Sequence, residues 1–213
     1  MELVSCFKSS VAERGFRATW SGPFLLVLAL ACFDGPARAE RFLTIEEAQK
    51  ICFPAADSFE SQTVRFSPEQ IAAIERQSKV KVLNKGNRIR VARHGTNVLG
   101  VLFLDYVLGK HEIIDYAAAV GAGGEVARIE ILEYRESHGS EIRGARWRDQ
   151  FKGKSGAAPL RLNEDIYNIS GATISCRHVT EGIKRLLATY EQVVRPRLAA
   201  DGRLPDPSLP PKP

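Results

Sequence analysis

Between Arg88 and Tyr134 the chain is written in short apolar runs separated by turns too brief to hold a helix. RIRVAR at 88–93 alternates, and His94-Gly95-Thr96-Asn97 is a turn. Val98 to Val107 is strongly apolar and rich in β-formers, which predicts a central strand. His111 to Val120 and Val126 to Tyr134 predict two more, joined by Gly121-Ala122-Gly123-Gly124. Parallel strands need a crossover of about a dozen residues or more, usually a helix. These links cannot supply one, so the strands are expected to be antiparallel neighbours in a meander.

The rest of the chain must pack on that sheet. Thr44-Ile45-Glu46-Glu47 is a capping box, and Pro54 blocks the helix that it starts. Ser67-Pro68-Glu69-Gln70 starts a second helix with proline at its first position, and Ile71, Ile74 and Ser78 give it one face. From Cys176 on, Val179, Ile183, Leu186, Leu187 and Tyr190 fit one face of a third helix, which Pro196 is expected to end. Residues 135–160 are richer in charge and glycine, with a helical turn expected from Trp147 to Phe151. The fold class is therefore α+β: an antiparallel sheet, two N-terminal helices and a C-terminal helix. DGRLPDPSLPPKP at 201–213 has five prolines and little to bury, and the expected flexible tail is 196–213.

Residues 1–39 read as a secretory signal peptide. Lys8, Arg14 and Arg17 lead, FLLVLALACF at 24–33 is too short to span a bilayer comfortably, and Ala37-Arg38-Ala39 is a cleavage site. The alternatives are an uncleaved anchor and, with a poor fit at Ala29, a lipoprotein on Cys32. The expected location is the periplasm or the outer face of the inner membrane. The leader holds four basic and three acidic residues, so its removal takes the net charge from +5 to +4. A mildly basic, exported chain argues against nucleic acid as a partner. The remaining cysteines, Cys52 and Cys176, form a disulfide candidate in an oxidising compartment; the alternative is two unpaired core residues.

NISGATISCRHV at 168–179 carries the most chemistry. Gly171 allows a tight or left-handed turn, and Ala172 keeps the surface bare. The turn feeds a helix whose first amides lack partners, a place that holds anions, most often phosphate. Ser170, Thr173 and Ser175 add hydroxyls. The plain alternative is that these hydroxyls only cap the helix.

Ser170-Gly171-Ala172-Thr173, then Ser175 and a helix, resembles the attachment motif of the FMN-binding domain family. Its members include flavin-carrying components of the sodium-pumping NADH:quinone oxidoreductase and of the Rnf complex. Glu136-Ser137-His138-Gly139, with Trp147 and Phe151-Lys152-Gly153 after it, is similar to that family's E-T-P-G segment with its following Trp and F-x-G. The similarity covers roughly Val98 to Leu187. Small exported bacterial FMN-binding proteins also share G-K-H-E, E-Y-R-E-S and the 168–179 string, here at Gly109 to Glu112, Glu133 to Ser137 and Asn168 to Val179.

The resemblance implies FMN as cofactor, joined through its phosphate to Thr173 by a separate magnesium-dependent flavin transferase. It implies cofactor contacts from Ser170, Gly171, Ala172, Glu136, Ser137, His138, Gly139 and Trp147. The family usually has aspartate three residues before the motif's serine; Tyr167 stands there, and the nearest acid is Asp165.

Other readings compete at single residues. His111, His138 and His178 with Cys176 could suggest metal or haem, but no C-x-x-C-H is present. Lys110-His111-Glu112 reads most simply as an exposed strand start. Arg135 and Arg143 could answer a phosphate, though charged loop residues are usually solvated. Glu133, Glu136 and Glu141 have no frame that would make an acid–base pair. Trp147 is read more readily as core than as cofactor stacking.

The expected organisation is a signal peptide at 1–39, a helical segment with the first strand at 40–95, an FMN-binding domain at 96–195 and the tail. The expected role is an electron carrier between membrane or periplasmic redox partners, not a self-contained enzyme. The alternatives are non-covalent flavin or haem binding, or a cofactor-free periplasmic binding protein stapled by Cys52 and Cys176.

Overall fold

The computed structural model describes residues 40–136 and 138–204. Residues 1–39, the expected signal peptide, with Ser137 and residues 205–213, lie outside the described residues.

The sheet has six strands: β1 (Glu40–Arg41), β2 (Ser58–Arg65), β3 (Gly86–His94), β4 (Asn97–Leu108), β5 (Ile113–Gly121) and β6 (Val126–Tyr134). Their spatial order is β1-β6-β5-β4-β3-β2, and every pairing is antiparallel. The meander expected at 88–134 is present, with β4 near its centre. Two edge strands were not expected. In β2 only Val64 is buried, so its sequence lacks a strong alternation. β1 is two residues held against Tyr134 and Glu133.

Alternation explains why β4 and β5 read as nearly continuous apolar runs: both faces of the sheet are covered. Val101, Phe103 and Val107 face one side with Tyr116 and Ala118, while Leu102 and Leu104 face the other with Ala117 and Ala119. The second side takes α1 (Ile45–Cys52), which packs through Ala48, Cys52 and the following Phe53. The first takes α2 (Pro68–Ser78) through Ile74, and the longer α4 (Thr173–Thr189) through Val179, Ile183, Leu186 and Leu187. Between them in sequence lies the single turn α3 (Ala145–Arg148), followed by a 3₁₀ turn, Asp149–Phe151.

A charged group anchors the body of α4 to the sheet. Arg185 donates to Asp105 Oδ2 at 2.6 Å, and the Tyr116 hydroxyl donates to the same oxygen at 2.9 Å. Burial, then the Asp105 charge, pushes the Tyr116 hydroxyl well above its ordinary value, so it stays a donor.

Several expectations are corrected. Cys52 and Cys176 are both free and buried. They lie in clusters on opposite faces of the sheet, which stands between them. Burial pushes the Cys52 thiol up to about 12 and raises that of Cys176, which keeps both protonated. Pro196 does not end the helical run: α4 passes through a π turn, Tyr190–Val194, into α5 (Arg195–Ala200), where proline occupies the first turn and needs no donor. The expected tail begins too early, because Leu198 is buried and Arg203 bonds Glu60 at 2.9 Å. The division expected at 95/96 falls in the β3–β4 hairpin, within one sheet.

Candidate functional site

Three separate stretches meet at the N-terminus of α4. They are the β4–β5 turn with Lys110 and His111, the loop after β6 with Glu136 and His138, and the loop Gly171-Ala172 with Thr173, Ile174 and Ser175. Together they line a cavity of about 530 Å³, within the range of small-molecule sites.

The two loops touch because small residues face each other. Gly139 has φ +86°, and a Cβ there would lie 2.6 Å from Ala172 Cβ and 2.8 Å from the Tyr134 hydroxyl. Tyr134 donates to the His138 carbonyl at 2.5 Å, which ties the loop to the end of β6. Burial raises the Tyr134 hydroxyl above its ordinary value, against the bond Ser175 makes to it.

Glu136 ties the β4–β5 turn to the loop after β6. Its Oε1 accepts from the His111 and Glu112 amides at 2.6 and 3.0 Å. Burial opposes ionisation, but these backbone donors with Lys110 outweigh it, and the carboxyl sits below its ordinary value. The negative charge at the cavity is thus consumed by backbone, which leaves Lys110, His111 and His138 as exposed, cation-capable groups.

α4 begins at Thr173 with Ala172 in the capping position and no side-chain cap. Hydroxyls that merely cap the helix, the plain alternative, are therefore not what the fold builds. Gly171 takes φ +82° with open space where a Cβ would point. An anion at this place meets unspent amides and bare backbone. Thr173 Oγ1 accepts a 2.9 Å bond from Asn168 Nδ2.

The expected site residues divide. Gly171, Ala172, Thr173, Glu136 and His138 line the cavity, and Gly139 is packed behind Ala172. Ser170 is exposed and outside the lining, and Ser137 lies outside the described residues. Trp147 does not line the cavity. It is buried, edge-on to Phe151 with centroids 5.1 Å apart, and its Nε1 donates to the Tyr167 carbonyl at 2.9 Å. An aromatic ring with one donor fits the core when that donor finds a carbonyl.

Arg135 pairs with Glu133 and Asp115, and Arg143 lies over the Phe42 ring, so neither belongs to the lining. His178 gives its Nδ1 proton to the Leu108 carbonyl, tying α4 to the end of β4. Among the described residues no group of three or more His, Cys, Asp or Glu could hold a metal ion. Lys110, His111 and Asn168 were missed as site residues; their signal was the G-K-H-E string and the start of the 168–179 string.

An uncapped helix N-terminus at a cavity is chemically suited to an anionic group, and residues 109–188 match the model of the FMN-binding domain. This stretch is similar to FMN-binding domains, and the likeness supports FMN as its cofactor. The match begins at the β4–β5 turn and ends near the close of α4, so it contains every stretch that lines the cavity. Among solved structures the chain is similar to NqrC of Shewanella oneidensis, with a TM-score of 0.52 and 17% identity over 73% of this chain and 97% of that one. At that identity the likeness bears on the fold, an α+β arrangement around an antiparallel sheet. No curated protein matches the chain.

Proposed function

We propose that this chain is an exported electron carrier whose FMN is joined through its phosphate to Thr173. One observation carries the reading: α4 opens into the cavity uncapped, with Thr173 as its first residue. FMN supplies the redox chemistry when bound. The chain's own groups do the holding. The first amides of α4 and the side chains of Lys110 and His111 would face the phosphate, and Gly171 and Ala172 leave the backbone accessible. His138 stands on the opposite wall.

Attachment requires an activated donor, because a free phosphomonoester dianion resists attack by a hydroxyl. Thr173 Oγ1 forms the new O–P bond, and the phosphoanhydride bond of a flavin dinucleotide breaks. The nucleoside monophosphate leaves with the bridging oxygen, and the Oγ1 proton passes to a base of the transferase. A covalent tether suits export, since it prevents loss of the cofactor where no pool replaces it. Redox partners at the outer face of the inner membrane would supply and accept the electrons. Tyr167 favours a second reading, non-covalent FMN. Its side chain is 78% exposed at the position where the family usually has aspartate.

The test is coexpression with an exported flavin transferase, followed by in-gel flavin fluorescence of the denatured protein beside Thr173→Ala. A fluorescent band lost in the variant supports the covalent carrier. A dark band from yellow native protein favours the second reading, and a colourless protein overturns both.

A further inference from the structure

We propose that Asn168 is the positioning residue for attachment, holding Thr173 Oγ1 as a hydrogen-bond acceptor and turning its proton toward the cavity. The inference rests on the reading that Thr173 takes the flavin.

Three threonines of α4 show the contrast. Thr180 gives its hydroxyl proton to the Cys176 carbonyl at 2.7 Å, and Thr189 gives its own to the Arg185 carbonyl at 2.9 Å. Both bond four residues back along the helix, the usual outlet for a helical threonine. Thr173 has no such bond; the carbonyl four residues before it, at Ile169, accepts from the Ala172 amide at 3.0 Å. Its oxygen instead accepts from Asn168 Nδ2.

The orientation of the Asn168 amide is determined. Its Oδ1 accepts from the Ile169 amide at 2.9 Å, so Nδ2 is the end that reaches Thr173. The preceding residue is clamped on both sides. The Tyr167 amide donates to Gln150 Oε1 at 2.6 Å, and the Tyr167 carbonyl accepts from Trp147.

The chemistry of an amide suits the whole reaction. Before attachment, the donor occupies one lone pair of Oγ1 and leaves the proton and the second lone pair for the transferase's base and the phosphorus. Afterwards Oγ1 is an ester oxygen that can only accept, and Nδ2 still donates to it. A carboxylate at 168 could accept from the free hydroxyl, but would repel both the ester oxygen and the phosphate.

The experiment incubates apo chain with purified transferase and flavin dinucleotide, reads attachment by mass, and records the melting temperature of each apo variant. Asn168→Ala is expected to lower kcat about tenfold, the equivalent of one hydrogen bond, with KM for the chain nearly unchanged. Asn168→Asp is expected to be slow near neutral pH. Its rate relative to the parent chain should rise as pH falls, because the protonated acid regains a donor. Equal kcat for Asn168→Ala and the parent overturns the inference, as does a loss confined to KM or an Asn168→Asp ratio that ignores pH. Should Asn168→Ala not fold, the Asn168→Asp profile decides. A parent chain that takes no flavin sinks the covalent reading, and this inference with it.

Discussion

The N-termini of α1 and α4 present the same four unpaired amides, yet the chain treats them in opposite ways. At α1, Thr44 Oγ1 accepts from the Glu47 amide at 3.2 Å and Glu47 Oε2 accepts from the Thr44 amide at 2.8 Å. α2 repeats the device with Ser67 and Gln70. At α4 the capping position is alanine, and the hydroxyl stands one residue later, inside the helix. A self-capped end is finished locally and can lie anywhere on the surface. An uncapped end must be held by something else, and here the helix body does that: Arg185, Asp105 and Tyr116 fasten α4 to β4 and β5. Its N-terminus is thereby free to serve a ligand.

The sharpest way to break this division is Asp105→Ala. It leaves the Arg185 guanidinium, 14% exposed, and the Tyr116 hydroxyl without their acceptor. Removing one partner of such a pair should cost about 3–5 kcal/mol in denaturant unfolding. Gly139→Ala should cost about 1–3 kcal/mol, from its φ of +86° and the clash with Ala172. Its loss of flavin binding, followed by titration, should exceed what unfolding explains, because the two loops separate. Thr44→Ala should cost about 1 kcal/mol and leave flavin incorporation at the level of the parent chain. A comparable loss of flavin there would mean that the two helix ends are not independent.

The smallest effect concerns pH. The Glu136 carboxyl lies below its ordinary value of 4.5 in the folded chain. Its contribution is therefore complete above that value and is lost as pH falls through the folded one. The melting temperature of the parent chain should fall through this acid range, while Glu136→Gln is expected to show a shallower decline. Parallel curves would mean that the bonds to the β4–β5 turn do not depend on charge.

The starts of α1 and α2 were legible because a capping box is written within four residues, and the physics it uses is equally local. The meander was legible because short turns admit only antiparallel neighbours. The loop that opens α4 was marked out by its resemblance and by glycine beside hydroxyls, and it does line the cavity. β2 was not, since an edge strand with one buried residue carries little alternation. Trp147 was ambiguous because a Trp placed for stacking and a Trp placed for support read alike. Only the position of the Tyr167 carbonyl separates them.

What the sequence by itself determined is thus what neighbours along the chain can settle: caps, turns and strand order in the meander. Only the tertiary structure decided what distant residues settle. The sheet parts Cys52 from Cys176. Glu136 brings the β4–β5 turn to the cavity, and α4 is fastened at Arg185 so that its first turn stays open. Each of these depends on side chains dozens of residues apart meeting across the sheet, and no local pattern encodes that distance.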